Sequence, residues 1–301
     1  MSKVIAVAVT MMSLAVLTLT FKTIDVPGPL AVNGTFVDGI TDLGEIVGNT
    51  IDGAPGPAGP YEHGFLMARD GKITTLDAPF PEANCGTYTA GINFQGDITG
   101  GYFVGDADCN STTYGYVRSK DGTWTKLDFP GATNTFMGGI NSLGETTGTY
   151  CTDADCNYFH GFLFRPGFGC GPGTYLSFDY PASFGTEGYG INDAGDIVGD
   201  YYDASGNGHG FLLHEGTFTT IEPVSLGAVG SVARGINLFG EIVGVWNGSH
   251  GFIFTHGTYT PLDMPGATGT HTRALNDEGV IVGYYDDSAG LAHGFEAKPS
   301  R

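Results

Sequence analysis

The sequence contains few positive charges. Its 301 residues include 12 Lys and Arg against 32 Asp and Glu, a formal net charge of −20. Binding to nucleic acids and to anionic membrane surfaces relies on clustered Lys and Arg, so we expect neither partner. Cationic ligands and divalent metals remain open, although the acidic excess also suits an extracellular protein that only needs to stay soluble.

Helical patterning is also missing. After residue 20 the chain has no apolar runs at helical spacing and no further stretch long enough to span a bilayer. Glycine supplies 51 residues without the three-residue period of collagen, and the hydrophobic share of 41% is too high for a disordered chain. Many glycines among Val, Ile, Tyr and Phe predict an all-β domain of short strands and tight turns.

The N-terminal segment has the features of a secretory signal. Lys3 precedes an apolar stretch that reaches Leu19, and Ser13-Leu14-Ala15 places small residues at a cleavage site. We therefore expect residues 1–15 to be a signal peptide, residues 16–301 to form one domain, and the protein to be secreted or held at the cell surface. The apolar run is borderline for a membrane helix, so a retained anchor is the alternative.

Five cysteines matter because secretion permits disulfides. Cys151 and Cys156 lie in one loop and are close enough to pair locally. Cys85 and Cys109 fall in loops that the repeat described below puts on one face. Cys170 is left over, and such a cysteine is either free or intermolecular.

One ten-residue phrase returns six times along the chain. It reads GITDLGEIVG, GINFQGDITG, GINSLGETTG, GINDAGDIVG, GINLFGEIVG and ALNDEGVIVG, starting at Gly39, Gly91, Gly139, Gly190, Gly235 and Ala274. His-Gly-Phe follows five of the copies, and Tyr114-Gly115-Tyr116 follows the second. A phrase such as FKTIDVP or WTKLDFP completes each unit, which supplies four short strands.

The repeat predicts a six-bladed β-propeller. Four strands in roughly 40 to 50 residues is typical of a propeller blade. The last copy stops near Lys298 without its fourth strand, whereas the chain begins with an unpaired strand of that type from Phe21 to Pro27. Pairing the two closes the ring and leaves no open edge.

The phrase GINDAGDIVGDYYDASGNGHGF resembles the bacterial extracellular family known as HAF repeats. The resemblance extends over residues 21–297 and implies export and a β-repeat architecture. It implies no catalytic mechanism and no role for a particular residue. Tyr114 departs from the family's histidine, so that histidine is not needed in every blade.

Candidate binding residues lie at the start of the Gly-Ile-Asn strand. Arg234 and Arg273 precede it at equivalent positions, Asp38 and Tyr189 hold that position in other repeats, and His271 is two residues from Arg273. Innermost strands line a propeller channel, so the arginines are candidates for binding a ligand carboxylate at the mouth of that channel. The alternative is that they only neutralise nearby acids.

A calcium site is the one cofactor that the sequence suggests. Asp-Ala-Asp-Cys-Asn occurs twice in the variable loops, and the candidate ligands are Asp106, Asp108, Asn110, Asp153, Asp155 and Asn157. Oxygen ligands on alternate residues suit Ca²⁺, although the glycine and distal glutamate of an EF-hand loop are missing. The alternative is that each first aspartate caps its own turn.

The sequence favours binding over catalysis. The His-Gly-Phe histidines fall one per blade, so we expect them to bond within their blades rather than hold a metal. Nucleophile-elbow, zinc-protease and Walker motifs are missing. We expect a monomeric, non-enzymatic extracellular binding or surface-interaction module. Its variable loops would contact a glycan, a small molecule or a protein, with membrane contact only through a retained N-terminal anchor. The alternative is a hydrolase or lyase acting on a sugar or ester at the channel mouth.

Overall fold

The computed structural model describes residues 19–53, 61–106, 111–153, 155–167 and 172–299. Within these ranges the chain forms six four-stranded antiparallel sheets and two 3₁₀ turns, Pro29–Ala31 and Val224–Leu226. The innermost strands of neighbouring sheets contact one another around a closed ring. The predicted six-bladed β-propeller is confirmed.

The strands follow the repeat. The chain opens with β1 (Leu19–Ile24), which belongs to the last blade. Blade 1 contains β2 (Thr35–Ile40), β3 (Ile46–Ile51), β4 (Glu62–Met67) and β5 (Ile73–Leu76). Blade 2 contains β6 (Thr87–Ile92), β7 (Ile98–Gly105), β8 (Ser111–Arg118) and β9 (Trp124–Lys126). Blade 3 contains β10 (Asn134–Ile140), β11 (Thr146–Cys151), β12 (His160–Arg165) and β13 (Thr174–Phe178).

The second half of the ring repeats the order. Blade 4 contains β14 (Gly185–Ile191), β15 (Ile197–Tyr202), β16 (Gly208–His214) and β17 (Thr217–Ile221). Blade 5 contains β18 (Ser231–Ile236), β19 (Ile242–Trp246), β20 (His250–Thr255) and β21 (Thr258–Leu262). Blade 6 contains β22 (Gly269–Leu275), β23 (Ile281–Asp286), β24 (Ala292–Pro299) and the N-terminal strand β1.

Ring closure occurs as the repeat predicts. Strand β1 pairs antiparallel with β24, in a register that runs from Leu19 opposite Pro299 to Ile24 opposite Gly294. Ile24 is buried, and it packs in one cluster with Val37 and Ile40 of blade 1. The first strand therefore completes blade 6 and also contributes to the core between blades 6 and 1.

The signature histidines are bonded within their blades. Each Nδ1 atom lies 2.7–3.2 Å from the acid that follows the fourth strand, in the pairs His63–Asp77, His160–Asp179, His209–Glu222, His250–Asp263 and His293–Asp25. Tyr114 replaces histidine in blade 2, and there Asp128 accepts a hydrogen bond from the Gly115 N–H instead. These pairs tie the outermost strand of a blade to its neighbour.

A chain of asparagines joins the blades at the face that carries the short Asn-x-x-Gly turns, here called the turn face. The side-chain Nδ2 of one asparagine donates to the carbonyl oxygen of its equivalent in the next blade, in the pairs Asn93–Asn141, Asn141–Asn192, Asn192–Asn237 and Asn237–Asn276. Asn276 then donates to the carbonyl oxygen of Thr41, which extends the chain of bonds from blade 6 to blade 1. The opposite face, here called the loop face, carries the variable loops.

The predicted local disulfide forms between Cys151 and Cys156. Cys85 is also disulfide-bonded. Cys109 and Cys170 lie outside the described residues, as do residues 1–18 with the predicted signal peptide. In the part of the chain that the structure describes, no helix is long and apolar enough to cross a membrane.

Candidate functional site

Each innermost strand contains a β-bulge just before its Gly-Ile step. In β2, Val37 lies opposite Gly48 and Gly39 lies opposite Val47, so Asp38 between them has no cross-strand partner. The same irregularity leaves unpaired Ala90, Tyr189, Arg234 and Arg273, and in β10 it falls between Met137 and Ile140. A bulge re-aims the side chain of its extra residue, which explains why this position lines the channel.

The bulge requires a glycine on the second strand of the blade. A Cβ atom on Gly199 would clash with the Glu187 carbonyl oxygen and press on the Phe211 ring. Gly48 faces the Phe36 carbonyl oxygen and the Phe65 ring in the same way. The Ile-Val-Gly end of the repeated phrase therefore has a structural reason, because only glycine leaves room for the carbonyl oxygen two residues before the bulge position.

The bulges surround a cavity of about 260 Å³, here called the channel cavity. It lies in the first halves of the innermost strands, towards the loop face. Its wall includes the bulge residues Asp38, Ala90, Gly138, Tyr189, Arg234 and Arg273. A second tier comes from the residues before the bulges and from the second strands, namely Tyr88, Phe136, Glu187, Asn49 and Thr149.

Four of the five candidate residues from the sequence line this cavity, and the exception is His271. Its ring stacks on Tyr284 with 4.4 Å between centroids, and its Nε2 lies 3.1 Å from Asp286 Oδ2. Burial lowers the pKa of His271, although Asp286 opposes that shift. His271 therefore packs beside the cavity, on the same strand as Arg273.

One polar group of the cavity is centred on Asp38. Asn49 Nδ2 donates to Asp38 Oδ2 over 2.8 Å, and Arg273 Nε lies 3.7 Å from Asp38 Oδ1. Burial raises the pKa of Asp38 against the opposing charges of Arg273 and Arg234. The Arg273 Nε atom is itself buried and makes no hydrogen bond to any described residue. Asp38, Asn49 and Arg273 therefore form one polar group in the wall of the cavity.

The second polar group contains Arg234. Its guanidinium lies over the Tyr189 ring, and the Tyr189 hydroxyl donates to Glu187 Oε2 over 2.7 Å. Glu187 lies directly opposite Asp200 on β15, and Asp200 is only 1% exposed. Burial and the neighbouring Glu187 raise the pKa of Asp200 well above its usual range, while Arg234 acts to lower it. Arg234 therefore provides positive charge close to two acids, Glu187 and Asp200.

Three further residues of the cavity wall, Tyr88, Phe136 and Glu187, were not expected from the sequence. Each lies two residues before a bulge position or its equivalent, and alternate residues of a strand share a face. The two-residue spacing along each strand is therefore the sequence feature that predicts these positions on the cavity wall. Phe136 is 37% exposed, which makes it an aromatic surface within the cavity that a ligand can reach.

The calcium loops show the hydrogen bonds of capped turns where they are described. Asp153 Oδ1 accepts from the backbone N–H and from the side-chain Nδ2 of Asn157, at 3.0 and 3.3 Å. In blade 4, a similar loop shows the same capping, because Asp203 Oδ1 accepts the backbone N–H groups of Ser205 and Asn207. Asp108 and Asn110 lie outside the described residues. Among the residues that are described, no group of three His, Cys, Asp or Glu is arranged to hold a metal. Calcium binding stays a prediction.

No family model and no curated protein matches the chain. Among solved structures, an α-L-arabinanase of Penicillium chrysogenum complexed with arabinobiose is similar, with 12% identity and a TM-score of 0.56 over 94% of this chain and 98% of that one. The Aleuria aurantia lectin in complex with Fucα1-6GlcNAc has 11% identity and a TM-score of 0.51, over 90% and 93% of the two chains. A Trypanosoma rangeli sialidase has 9% identity and a TM-score of 0.52, and 88% of this chain spans 55% of that one. At these identities the likeness shows the propeller fold.

Proposed function

We propose that this protein is a secreted carbohydrate-binding propeller and that a sugar residue occupies the channel cavity. The observation that carries the proposal is the convergence of an accessible aromatic ring, Phe136, with the Asp38, Asn49 and Arg273 group in one cavity. A sugar ring has C–H faces that pack on aromatic rings and hydroxyl groups that both donate and accept hydrogen bonds. The two kinds of surface in the cavity match the two kinds on the ligand.

The size of the cavity and the similar structures support a small sugar ligand. A volume of about 260 Å³ is just below the roughly 300–1,000 Å³ that is typical of pockets for drug-sized ligands. Two of the three similar structures described above contain a named disaccharide. We therefore assign the cavity to a terminal sugar residue, with the rest of the glycan extending over the loop face.

Secretion fits the disulfide chemistry. The Cys151–Cys156 bond lies in a loop of blade 3, and such bonds persist in oxidising compartments. Together with the signal-like residues 1–15, the bond supports an extracellular ligand such as a cell-wall or host glycan.

Hydrolysis of a glycan is the second candidate, because two carboxyl groups line the same cavity. Burial raises the pKa of Asp38, which is the property of a general acid, and Glu187 provides a further carboxyl group in the wall. Glycoside hydrolysis uses one protonated acid and one carboxylate on either side of the scissile bond.

The proposal is tested by screening the mature protein on a printed array of plant, fungal and animal glycans, followed by calorimetry with the strongest ligand. We expect Phe136→Ala to weaken binding about tenfold, which corresponds to about 1.4 kcal/mol. The control is Phe184→Ala, since Phe184 is 50% exposed but lies outside the cavity. Absence of any bound glycan, or equal affinity of Phe136→Ala and native protein, would overturn the proposal.

Cleavage of the bound glycan distinguishes a hydrolase from a binding module. The bound glycan is incubated with native protein and with Asp38→Asn, and the products are separated by chromatography. An intact glycan identifies a binding module, whereas shorter products that disappear with Asp38→Asn identify a hydrolase.

A further inference from the structure

The six junctions between neighbouring blades differ at one repeated position, the residue before the His-Gly-Phe signature. From blade 1 to blade 6 this position holds Glu62, Thr113, Phe159, Gly208, Ser249 and Ala292. At the junction of blades 3 and 4 the Phe159 ring closes the space, since a Cβ atom on Gly185 would lie 2.6 Å from it. At the junction of blades 4 and 5, Gly208 faces Gly230, and neither has a side chain to fill the equivalent space.

A cavity of about 300 Å³ occupies the space left by these two glycines, and we call it the junction cavity. Its wall is mainly apolar, with Val229, Val232 and Val245 on the blade 5 side. Asp200 and Tyr202 of β15 line it from blade 4. It lies beside the start of β18, on the same side of the ring as the channel cavity.

Asp200 supplies a buried carboxyl group to the junction cavity, and Oδ2 is its oxygen nearest to Gly208. Its side chain is 1% exposed, and its Oδ1 makes no hydrogen bond to any described residue. A buried acceptor without a full set of partners is costly, by about 1–3 kcal/mol, so a ligand donor that reaches this carboxyl group recovers free energy. Other polar groups of the wall are engaged, because Ser231 Oγ donates to the Ile221 carbonyl and Asn247 Oδ1 accepts from the Val229 N–H.

The surroundings of Asp200 favour a neutral donor over a cation. Arg234 already provides a positive charge to this carboxyl, and Glu187 lies directly opposite it in the strand register. The Tyr202 hydroxyl lies beside the same carboxyl. Burial raises the pKa of Asp200, so the group is protonated over a wider pH range than an exposed aspartate. A protonated carboxyl keeps an oxygen that accepts a hydrogen bond but loses its attraction for an ammonium group.

We propose that the junction cavity is a second carbohydrate subsite, in which a sugar residue packs its C–H face on the three valines and donates a hydroxyl to the Asp200 carboxyl group. The choice of a sugar rests on the proposed function, whereas the site itself rests on Gly208, Gly230 and the buried Asp200 carboxyl in its wall. Glu187 lines the channel cavity and Asp200 lines the junction cavity, so this carboxyl pair separates the two subsites.

Gly208→Phe is expected to block the junction cavity, because it places at the junction of blades 4 and 5 the same side chain, Phe159, that fills the junction of blades 3 and 4. The matched control is Ser249→Phe, which places the same ring at the next junction. Gly208→Ala is a milder variant that the fold accommodates, since its Cβ atom would have no neighbour closer than 3.6 Å. Thermal melts establish that each variant is folded before binding is measured.

The probes are methyl α-L-fucoside, methyl α-L-arabinofuranoside, methyl β-D-galactoside and methyl α-D-mannoside, observed by saturation-transfer NMR. We expect at least one glycoside to bind native protein, Ser249→Phe and Phe136→Ala, and to lose binding about tenfold or more in Gly208→Phe. If Gly208→Phe does not fold, Gly208→Ala is expected to weaken binding at least about threefold.

Each outcome separates the two sites. Binding that is lost in Phe136→Ala but unchanged in the Gly208 variants overturns the junction subsite and keeps the channel cavity. Binding that is lost only in the Gly208 variants supports the junction subsite for that glycoside, and the channel cavity is then tested separately by calorimetry of Phe136→Ala with the glycan from the array. If no glycoside binds native protein, the junction subsite is overturned.

Discussion

The guanidinium of Arg234 lies over the ring of Tyr189, with 3.9 Å between its central carbon and the ring centroid. A desolvated contact of this kind contributes about 2 kcal/mol. The Tyr189 hydroxyl donates to Glu187, and Glu187 lies opposite Asp200. One buried cation therefore stabilises a chain of one tyrosine and two carboxyl groups that begins in the wall of the channel cavity and ends at Asp200.

Replacing Arg234 by methionine removes this charge while keeping a long apolar side chain. We expect the free energy of unfolding to fall by about 3–5 kcal/mol at neutral pH, because buried acids are left without compensation. Urea unfolding at neutral pH measures the change. Arg165→Met is the control, since Arg165 is 53% exposed and pairs with Glu145 at the surface. Equal losses in the two variants would contradict this account.

Glu62 gives the stability of the protein a specific pH dependence. Burial raises the pKa of Glu62 from 4.5 to about 7, and the nearby Asp38 adds to that shift. The unfolded chain ionises Glu62 near pH 4.5, whereas the folded protein keeps it protonated up to about pH 7. Its contribution to stability is therefore lost as pH rises through this window.

We expect Glu62→Gln to be more stable than native protein at pH 8 by up to about 3 kcal/mol, since each pKa unit corresponds to about 1.36 kcal/mol. The difference should vanish near pH 4. Glu215→Gln, at an exposed turn, is the control and should show no such pH dependence. Denaturant titrations at the two pH values make the measurement, and a difference that does not change with pH would sink the idea.

The sequence predicted the fold because the repeat encodes it directly. Six copies of the phrase, the unpaired strand before Pro27 and the truncated last copy together specified the six blades and the ring closure, which the structure confirms. The bulge at Asp38 and its equivalents was not predicted, because a bulge depends on the pairing register, and a single strand does not contain that information.

The candidate site was only partly accessible from the sequence. Arg234, Arg273, Asp38 and Tyr189 share a repeat position, so alignment of the repeats was enough to group them. The junction cavity was not foreseen, because it arises where Gly208 of one blade meets Gly230 of the next. Each glycine is unremarkable among 51, and only their contact distinguishes this junction from the one that Phe159 fills.

Gly199 tests the explanation for the repeated Ile-Val-Gly phrase. Its Cβ atom would clash with the carbonyl oxygen of Glu187, so Gly199→Ala must move the bulge or the Phe211 ring. We expect a loss of at least about 3 kcal/mol, at the upper end for overpacking a core. Gly208→Ala is the matched control, because its Cβ atom meets only ordinary contacts. Comparable melting temperatures for the two variants would refute this role of the glycine.

The pair of His293 and Asp25 joins the last blade to the N-terminal strand, with 2.9 Å between Nδ1 and Oδ1. Burial acts to lower the pKa of His293, but the hydrogen bonds and charges of Asp25 and Asp287 outweigh it and raise the value. The stabilisation is therefore fully present below about pH 6.5 and is lost as pH rises through the folded pKa.

We expect Asp25→Asn to lower the free energy of unfolding by up to about 1 kcal/mol at pH 5, since Asp25 is 53% exposed and screened by solvent. The loss should be smaller at pH 9, where His293 is neutral in both proteins. Chemical denaturation at the two pH values provides the comparison. A larger loss at pH 9 than at pH 5 would show that the charge of His293 does not stabilise the ring closure.

Calcium binding at Asp153, Asp155 and Asn157 can be decided by thermal melts of the mature protein in excess EDTA and in millimolar CaCl₂. A ligand present at 100 times its Kd adds about 2.7 kcal/mol to a folded state that alone binds it, which raises the midpoint by several degrees. We expect the two melts to coincide, because Asp153 Oδ1 already accepts two hydrogen bonds from Asn157. A higher midpoint in calcium would mean that the ion displaces those bonds. Asp153→Asn should then abolish the rise if the ion binds in this loop, and an unchanged rise would place the ion elsewhere.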